Sequence, residues 1–295
     1  MEHQIHSDLA LESNYSPKPS SQTHPEYSEE ISGDIKLCKL NINTEELSKK
    51  YGRSKGKYVT AICGKIWLYS DAEIEFAADI IGTEIKKMLS ETTSKKIDKN
   101  FSVLVAGLGN SEITADAIGP LTTSKLTVTR HIRDISEEIF HSFGLCNISA
   151  ISPGVLSQTG IETLEIIRGA VKNTTPDVVI AVDALAARSC ERLASTVQIS
   201  DAGISPGSGI GNLRKAINEE NLGVPVIALG VPTVVDSATL VYDAIERSGI
   251  RDDDGRLEAV LDNERGFFVS PKESDIISER VSLLLSRALD VAFAV

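Results

Sequence analysis

Apolar positions in this chain recur at two spacings, and the changes from one spacing to the other divide it into elements. Residues 35–42 alternate, with Ile35, Leu37, Leu40 and Ile42 as the apolar members, which predicts a strand, and residues 58–62 can pair with it. Over residues 71–91, Ile74, Ala77, Ala78, Ile81, Ile85 and Met88 recur every three or four positions, the pattern of an amphipathic helix lying on a sheet. Residues 101–106, FSVLVA, are apolar but for Ser102 and run straight into Gly107 and Gly109, so a buried strand ends there in a tight loop. Residues 117–129 then have the composition of a helix, with Pro120 tolerated in its first turn. Further strands are predicted at 147–151, 177–182, 196–199 and 224–229, with helices over 161–171 and 276–292 and a helix-compatible run from Asp183 through Leu193. This alternation predicts an α/β three-layer sandwich with a mainly parallel or mixed sheet, in one domain over residues 34–295.

Residues 1–33 break the pattern. They are polar, carry Pro17, Pro19 and Pro25, and are expected to form an extended arm that packs no core. Inside the arm, HSDLALE holds an apolar patch, Leu9, Ala10 and Leu11, that a plain linker does not need. The four cysteines, Cys38, Cys63, Cys146 and Cys190, are scattered with no CxxC pair, which argues against a zinc ribbon or redox motif and for a reducing compartment. With neither a secretory leader nor an apolar run near the roughly 20 residues of a membrane span, a soluble cytoplasmic protein is expected. A net charge of -12 argues against direct nucleic-acid contact and is compatible with a basic protein partner.

Several catalytic signatures fail on inspection. GRSKGK at 52–57 lacks the spacing and the following Ser or Thr of a phosphate loop and reads as a basic surface turn. Gly107 and Gly109 open a dinucleotide fingerprint whose third glycine is replaced by Glu112. GISPG at 203–207 has the form of a nucleophile elbow, but Pro206 has no N–H to give an oxyanion. There is no HExxH; His3, His6 and His24 fall in the arm, while His131 and His141 suit a solvent-facing helix, so neither metal nor cofactor is expected.

Carboxylates remain. Asp116 follows one core strand and Asp183 ends another, and an α/β topology can bring both to one sheet edge, where ligands and catalytic groups gather. Two carboxyl groups a few Å apart share one proton, so that one activates water while the other donates a proton. Glu162, Asp201 and Asp236 are rivals with loop or capping readings. The loops from Pro153 and Gly154 onward and around Gly207 and Gly209 are expected to wall the substrate site.

DLALE, KGKYVT, GLGNSEITADAIGP, SPGVLSQTGIET, VDALAARS, DAGISPGSGIGN, LGVPVIALGVPTVVD and FFVSPKESD follow one another in an order that resembles the bacterial germination proteases over nearly the whole chain. The resemblance implies a fold similar to the hydrogenase maturation proteases and an atypical aspartic endopeptidase whose essential aspartates fall on Asp116 and Asp183. It further implies a forespore zymogen, a homotetramer, with small acid-soluble spore proteins as substrates. Cleavage in that family follows an acidic residue and precedes a hydrophobic one and then Ala. Ser7-Asp8-Leu9-Ala10 fits, so self-processing between Asp8 and Leu9 is expected, with residues 1–8 as the propeptide and faster processing below neutral pH. Two rivals stay open: a metal-dependent peptidase on the same fold, and a non-catalytic binding protein for the same substrates.

Overall fold

A computed structural model describes residues 7–12, 25–207, 214–249, 260 and 267–295. The chain opens with strands β1 (Tyr27–Ser32) and β2 (Ile35–Ile42), helix α1 (Glu45–Tyr51), strand β3 (Gly56–Ile62) and helix α2 (Asp71–Thr93). Strand β4 (Ser102–Gly107), helices α3 (Ile118–Lys125), α4 (Arg130–Ile135) and α5 (Glu137–Ser142), and strand β5 (Asn147–Ile151) follow. Next come α6 (Leu156–Thr159), α7 (Thr163–Thr174), β6 (Val178–Ala187), β7 (Thr196–Ser200) and α8 (Glu219–Leu222). The chain closes with β8 (Val226–Asp236), α9 (Ser237–Ser248), β9 (Phe268–Val269) and α10 (Ser274–Phe293).

Among the described residues the strands join in one sheet of order β1-β2-β3-β7-β8-β6-β4-β5, with β9 pairing β8. The sheet is mixed: β8, β6, β4 and β5 run parallel, and the β1-β2-β3-β7 side is antiparallel and meets β8 antiparallel. Helices cover both faces, giving three layers. On one face α2, α3 and α10 pack over Val103, Val105, Val178, Ile180 and Val182. On the other, Leu164, Ile167 and Val171 of α7 meet Leu104, Ala106, Val179 and Ala181. Odd and even positions of β4 and β6 are thus both buried, which is why these strands read as continuous apolar runs. α2 begins where the alternation ends, at a capping box in which the Ser70 hydroxyl accepts from Glu73 N–H and the Glu73 carboxylate accepts from Ser70 N–H.

Three expectations are corrected. The segment after Asp183 is not helical: β6 runs on to Ala187, paired with β8 as far as Ala187–Val235, and only a 3-10 turn, Cys190–Arg192, follows. The long partner strand overrides the helix preference of an alanine-rich stretch. The helix predicted over 117–129 stops at Lys125, and two short helices, α4 and α5, follow it. The arm also does pack: Tyr27–Ser32 is an edge strand, and Leu9 and Ala10 are fully buried. No helix among the described residues is long and apolar enough to cross a membrane.

The contact that sets the site is between backbones. A Cβ on Gly119 of α3 would lie 2.2 Å from the Leu108 carbonyl oxygen and 2.5 Å from that of Val182, so only glycine lets α3 sit against the ends of β4 and β6. We expect Gly119→Ala to destabilise the fold by about 1–3 kcal/mol, the range for overpacking. Urea denaturation checks this as a lower midpoint with an unchanged slope.

Candidate active site

Asp116 is delivered by a loop that folds back on itself. β4 ends at Gly107, the Leu108 N–H donates to the Val182 carbonyl at 2.8 Å, and the chain turns through Gly109 with φ of +108°. A Cβ there would meet the Asp116 carbonyl oxygen at 2.1 Å, so the second glycine of GLG serves close loop packing rather than a dinucleotide. A 3-10 turn, Thr114–Asp116, then returns the Asp116 carboxylate to its own loop, where Oδ2 accepts from the Asn110 N–H at 2.7 Å.

Asp183 comes from the sheet itself. β4 pairs with β6 only as far as Gly107–Val182, so Asp183 is the next β6 residue past the end of that pairing, on the face that also carries Val179 and Ala181. It is 5% exposed, and its Oδ1 accepts from the Ala184 N–H at 3.0 Å. Both aspartates line one cavity of about 420 Å³, together with Asp8, Arg214 and Phe268.

The electrostatics separate the two acids. Burial pushes the Asp183 carboxyl well above the carboxylate range, and the charges of Asp116 and then Asp8 push it the same way, against one opposing N–H. Burial also raises Asp116, but the Asn110 N–H and the Arg214 guanidinium both favour its ionised form. Burial and neighbouring charge therefore favour the neutral form more strongly at Asp183 than at Asp116. Among the described residues no group of three or more His, Cys, Asp or Glu is placed to hold a metal, and His131 and His141 are exposed on α4 and α5.

Residues 7–12 of the arm are docked beside these acids. The Asp8 N–H donates to the Ala186 carbonyl at 2.9 Å, and the Ala186 N–H donates to Asp8 Oδ2 at 2.9 Å. Leu9 is buried against Leu185, Leu193 and Val235, and Ala10 against Leu40, Ile42, Tyr51 and Tyr58. The Glu12 carboxylate accepts from the Arg188 N–H at 2.6 Å, the Ser189 N–H at 3.1 Å and the Ser7 hydroxyl at 2.6 Å. Gln198 bonds Asp8 and Ala10, and Arg53 bonds Ser7 and Leu9, in both cases through the main chain of the arm. The basic turn at 52–57 is thus divided: Lys55 stays outside and pairs with Glu45 at 2.6 Å, while Arg53 turns inward to the arm.

The predicted walls are partly realised. Gly207 lines the cavity beside Pro206, whereas Gly209 lies outside the described residues. Pro153 and Gly154 do not line it; that side is built by Val155 and Thr163. Of the rival acids, Asp201 accepts from the Lys57 N–H at 2.6 Å and Asp236 from the Thr239 N–H and hydroxyl at 2.9 and 3.0 Å, which are loop and capping roles, and Glu162 stands at the start of α7. Arg214, Gln198 and Arg53 were not legible as site residues, because no local pattern distinguishes a side chain that meets a segment far away in sequence.

Comparison with known proteins gives one consistent result. The family model described as germination protease matches residues 6–248. A germination protease of Clostridium acetobutylicum is 38% identical over 88% of this chain and 85% of its own length. One from Caldanaerobacter subterraneus subsp. tengcongensis is 38% identical over 98% and 94%, and one from a Geobacillus strain 44% identical over 81% and 64%. Among solved structures, a NiFe hydrogenase maturation protease, HycI, from Thermococcus kodakarensis shares 17% identity over 68% of this chain and 98% of its own, with a TM-score of 0.36, too remote to carry an argument.

The raised Asp183 has a consequence for stability. The folded protein keeps on it a proton that the unfolded chain releases near pH 4, so this residue makes stability fall as pH rises from about 4 toward the higher folded value. Asp183→Asn removes that dependence. Thermal unfolding should show the variant more stable than the wild type at about pH 8, the gap closing as the pH is lowered toward about 4.

Proposed function

The chain belongs to the germination protease family, and from that membership we propose that it is an aspartic-type endopeptidase of spore germination whose working groups are Asp116 and Asp183. Its proposed substrates are the small acid-soluble spore proteins, cut after an acidic residue that precedes a hydrophobic residue and Ala. It works in the forespore cytoplasm as a homotetramer, and it is made as a zymogen that removes residues 1–8 from itself. The observation that carries this reading is the docking of Ser7-Asp8-Leu9-Ala10 with Asp8 in the same cavity as the two acids.

The chemistry follows from the unequal proton affinities. Ionised Asp116 takes a proton from water as the water oxygen bonds to the carbonyl carbon of Asp8. Protonated Asp183 gives its proton to the Leu9 nitrogen as the carbon–nitrogen bond breaks. The products are a carboxyl group on Asp8 and a free amine on Leu9, and the pair has exchanged one proton without net gain or loss. Burial supports this division because a carboxyl held neutral can donate at a pH where an exposed one has already ionised.

The intact mass of the purified protein should fall by residues 1–8 with time at mildly acidic pH and stay constant in Asp183→Asn. The rate in the wild type should rise as the pH is lowered from about 8 toward about 6, since the reactive dyad holds one proton. Equal loss in both proteins would sink the assignment, and loss in neither would favour the non-catalytic binding reading.

A further inference from the structure

Gln198 occupies a place that the two-acid reading leaves unused. Asp183 of β6 and Gln198 of β7 are both register partners of Gly230 of β8, one on each side of it. Residues so aligned point to one face of a sheet, so Gln198 faces the same layer as Asp183 at two strand spacings, about 10 Å. Consistent with this, its neighbours Val197 and Ile199 pack into the core of the opposite face.

The side chain is 8% exposed, and both of its hydrogen bonds go to the arm. Nε2 donates to the Asp8 carbonyl oxygen at 3.1 Å, and Oε1 accepts from the Ala10 N–H at 2.7 Å. Turning the amide over would set its NH2 against an N–H and its oxygen against a carbonyl, so the contacts allow one orientation. Arg53 Nη2 holds the flanking carbonyls, Ser7 at 2.5 Å and Leu9 at 3.0 Å. Three successive carbonyls and the next N–H are thus gripped without reference to any side chain. A buried amide costs free energy when it loses its partners, so once the cut arm leaves this place Gln198 has a strong demand for another main chain on the same course.

We propose that Gln198 is a catalytic group: its amide N–H receives the carbonyl oxygen of the bond that is cut and stabilises the negative charge formed there, while Arg53 grips the carbonyls on either side. This rests on the reading that the bond after the Asp8 position is the one hydrolysed. As water adds, the π electron pair of the carbonyl moves onto the oxygen that Gln198 already holds. When the carbon–nitrogen bond breaks and the nitrogen takes its proton from the acid, that pair returns to re-form the carbonyl, and Gln198 is unchanged.

The test uses chains that begin at Leu9, the proposed product of self-processing, so that no variant has to process itself, and a synthetic peptide with the sequence of residues 5–14. Gln198→Glu keeps the size and the acceptor and removes the neutral donor, and Gln198→Met removes both; thermal unfolding confirms that each variant is folded. Loss of a single oxyanion donor predicts a fall in kcat of about 10²- to 10³-fold, with a much smaller change in KM. A second peptide, with an ester oxygen in place of the Ala10 N–H, should be cut more slowly by the wild type but give no further slowing in Gln198→Met. Wild-type kcat in both variants, or an equal ester penalty in wild type and Gln198→Met, overturns the proposal while Asp183→Asn still reports on the dyad. If the wild type cuts neither peptide, the two-acid reading falls and this proposal falls with it.

Discussion

A carboxyl group buried within a strand, just past the end of its pairing with one neighbour and sharing a cavity with a second carboxyl, is the constraint around which this molecule is arranged. Asp183 is nearly excluded from water and feels the charges of Asp116 and Asp8, so its neutral form is the favoured one in the fold. An isolated buried charge is among the costliest groups a protein can hold, and remaining protonated is the cheaper alternative. The unequal pair that results faces one cavity, Asp183 from the sheet and Asp116 from a 3-10 turn beyond it.

That arrangement depends on contacts in which side chains play no part. α3 lies against the ends of β4 and β6 because Gly119 has no Cβ to meet Leu108 and Val182, and the loop before it closes because Gly109 has none to meet Asp116. The pairing of β4 with β6 ends one residue before Asp183, and β6 continues with β8 as its partner. The same continuation provides Ala186, Arg188 and Ser189, whose N–H groups receive the carboxylates of Asp8 and Glu12. β6 and the two residues that follow it thus carry the buried acid and main-chain groups that seat the arm.

The arm, in turn, uses both polar and apolar terms. Its acidic side chains take main-chain N–H groups, Leu9 and Ala10 enter separate apolar clusters, and Arg53 and Gln198 satisfy the carbonyls between. Burying one leucine and one alanine side chain contributes only about 2–4 kcal/mol. A segment held that loosely by apolar burial and that closely by hydrogen bonds suits a peptide which must be recognised and then leave, on the proposed reading of this site.

What the sequence determined by itself is whatever depends on local periodicity and on residue type. The alternation at 35–42, the helical spacing at 71–91 and the strand runs at 101–106 and 177–182 are local properties, and each stands in the structure as a strand or helix with slightly shifted ends. The failure of GISPG and of the glycine fingerprints was likewise legible, since Pro206 and Glu112 exclude those chemistries wherever they sit. Tertiary structure decided the rest. Only the length of β8 makes residues 183–187 a strand rather than a helix, only long-range packing brings Leu9 to Val235, and only the shared register with Gly230 sets Gln198 opposite Asp183. These contacts join positions up to more than two hundred residues apart, and the free energy that selects them comes from burial and hydrogen bonding across that distance, which no window of sequence contains.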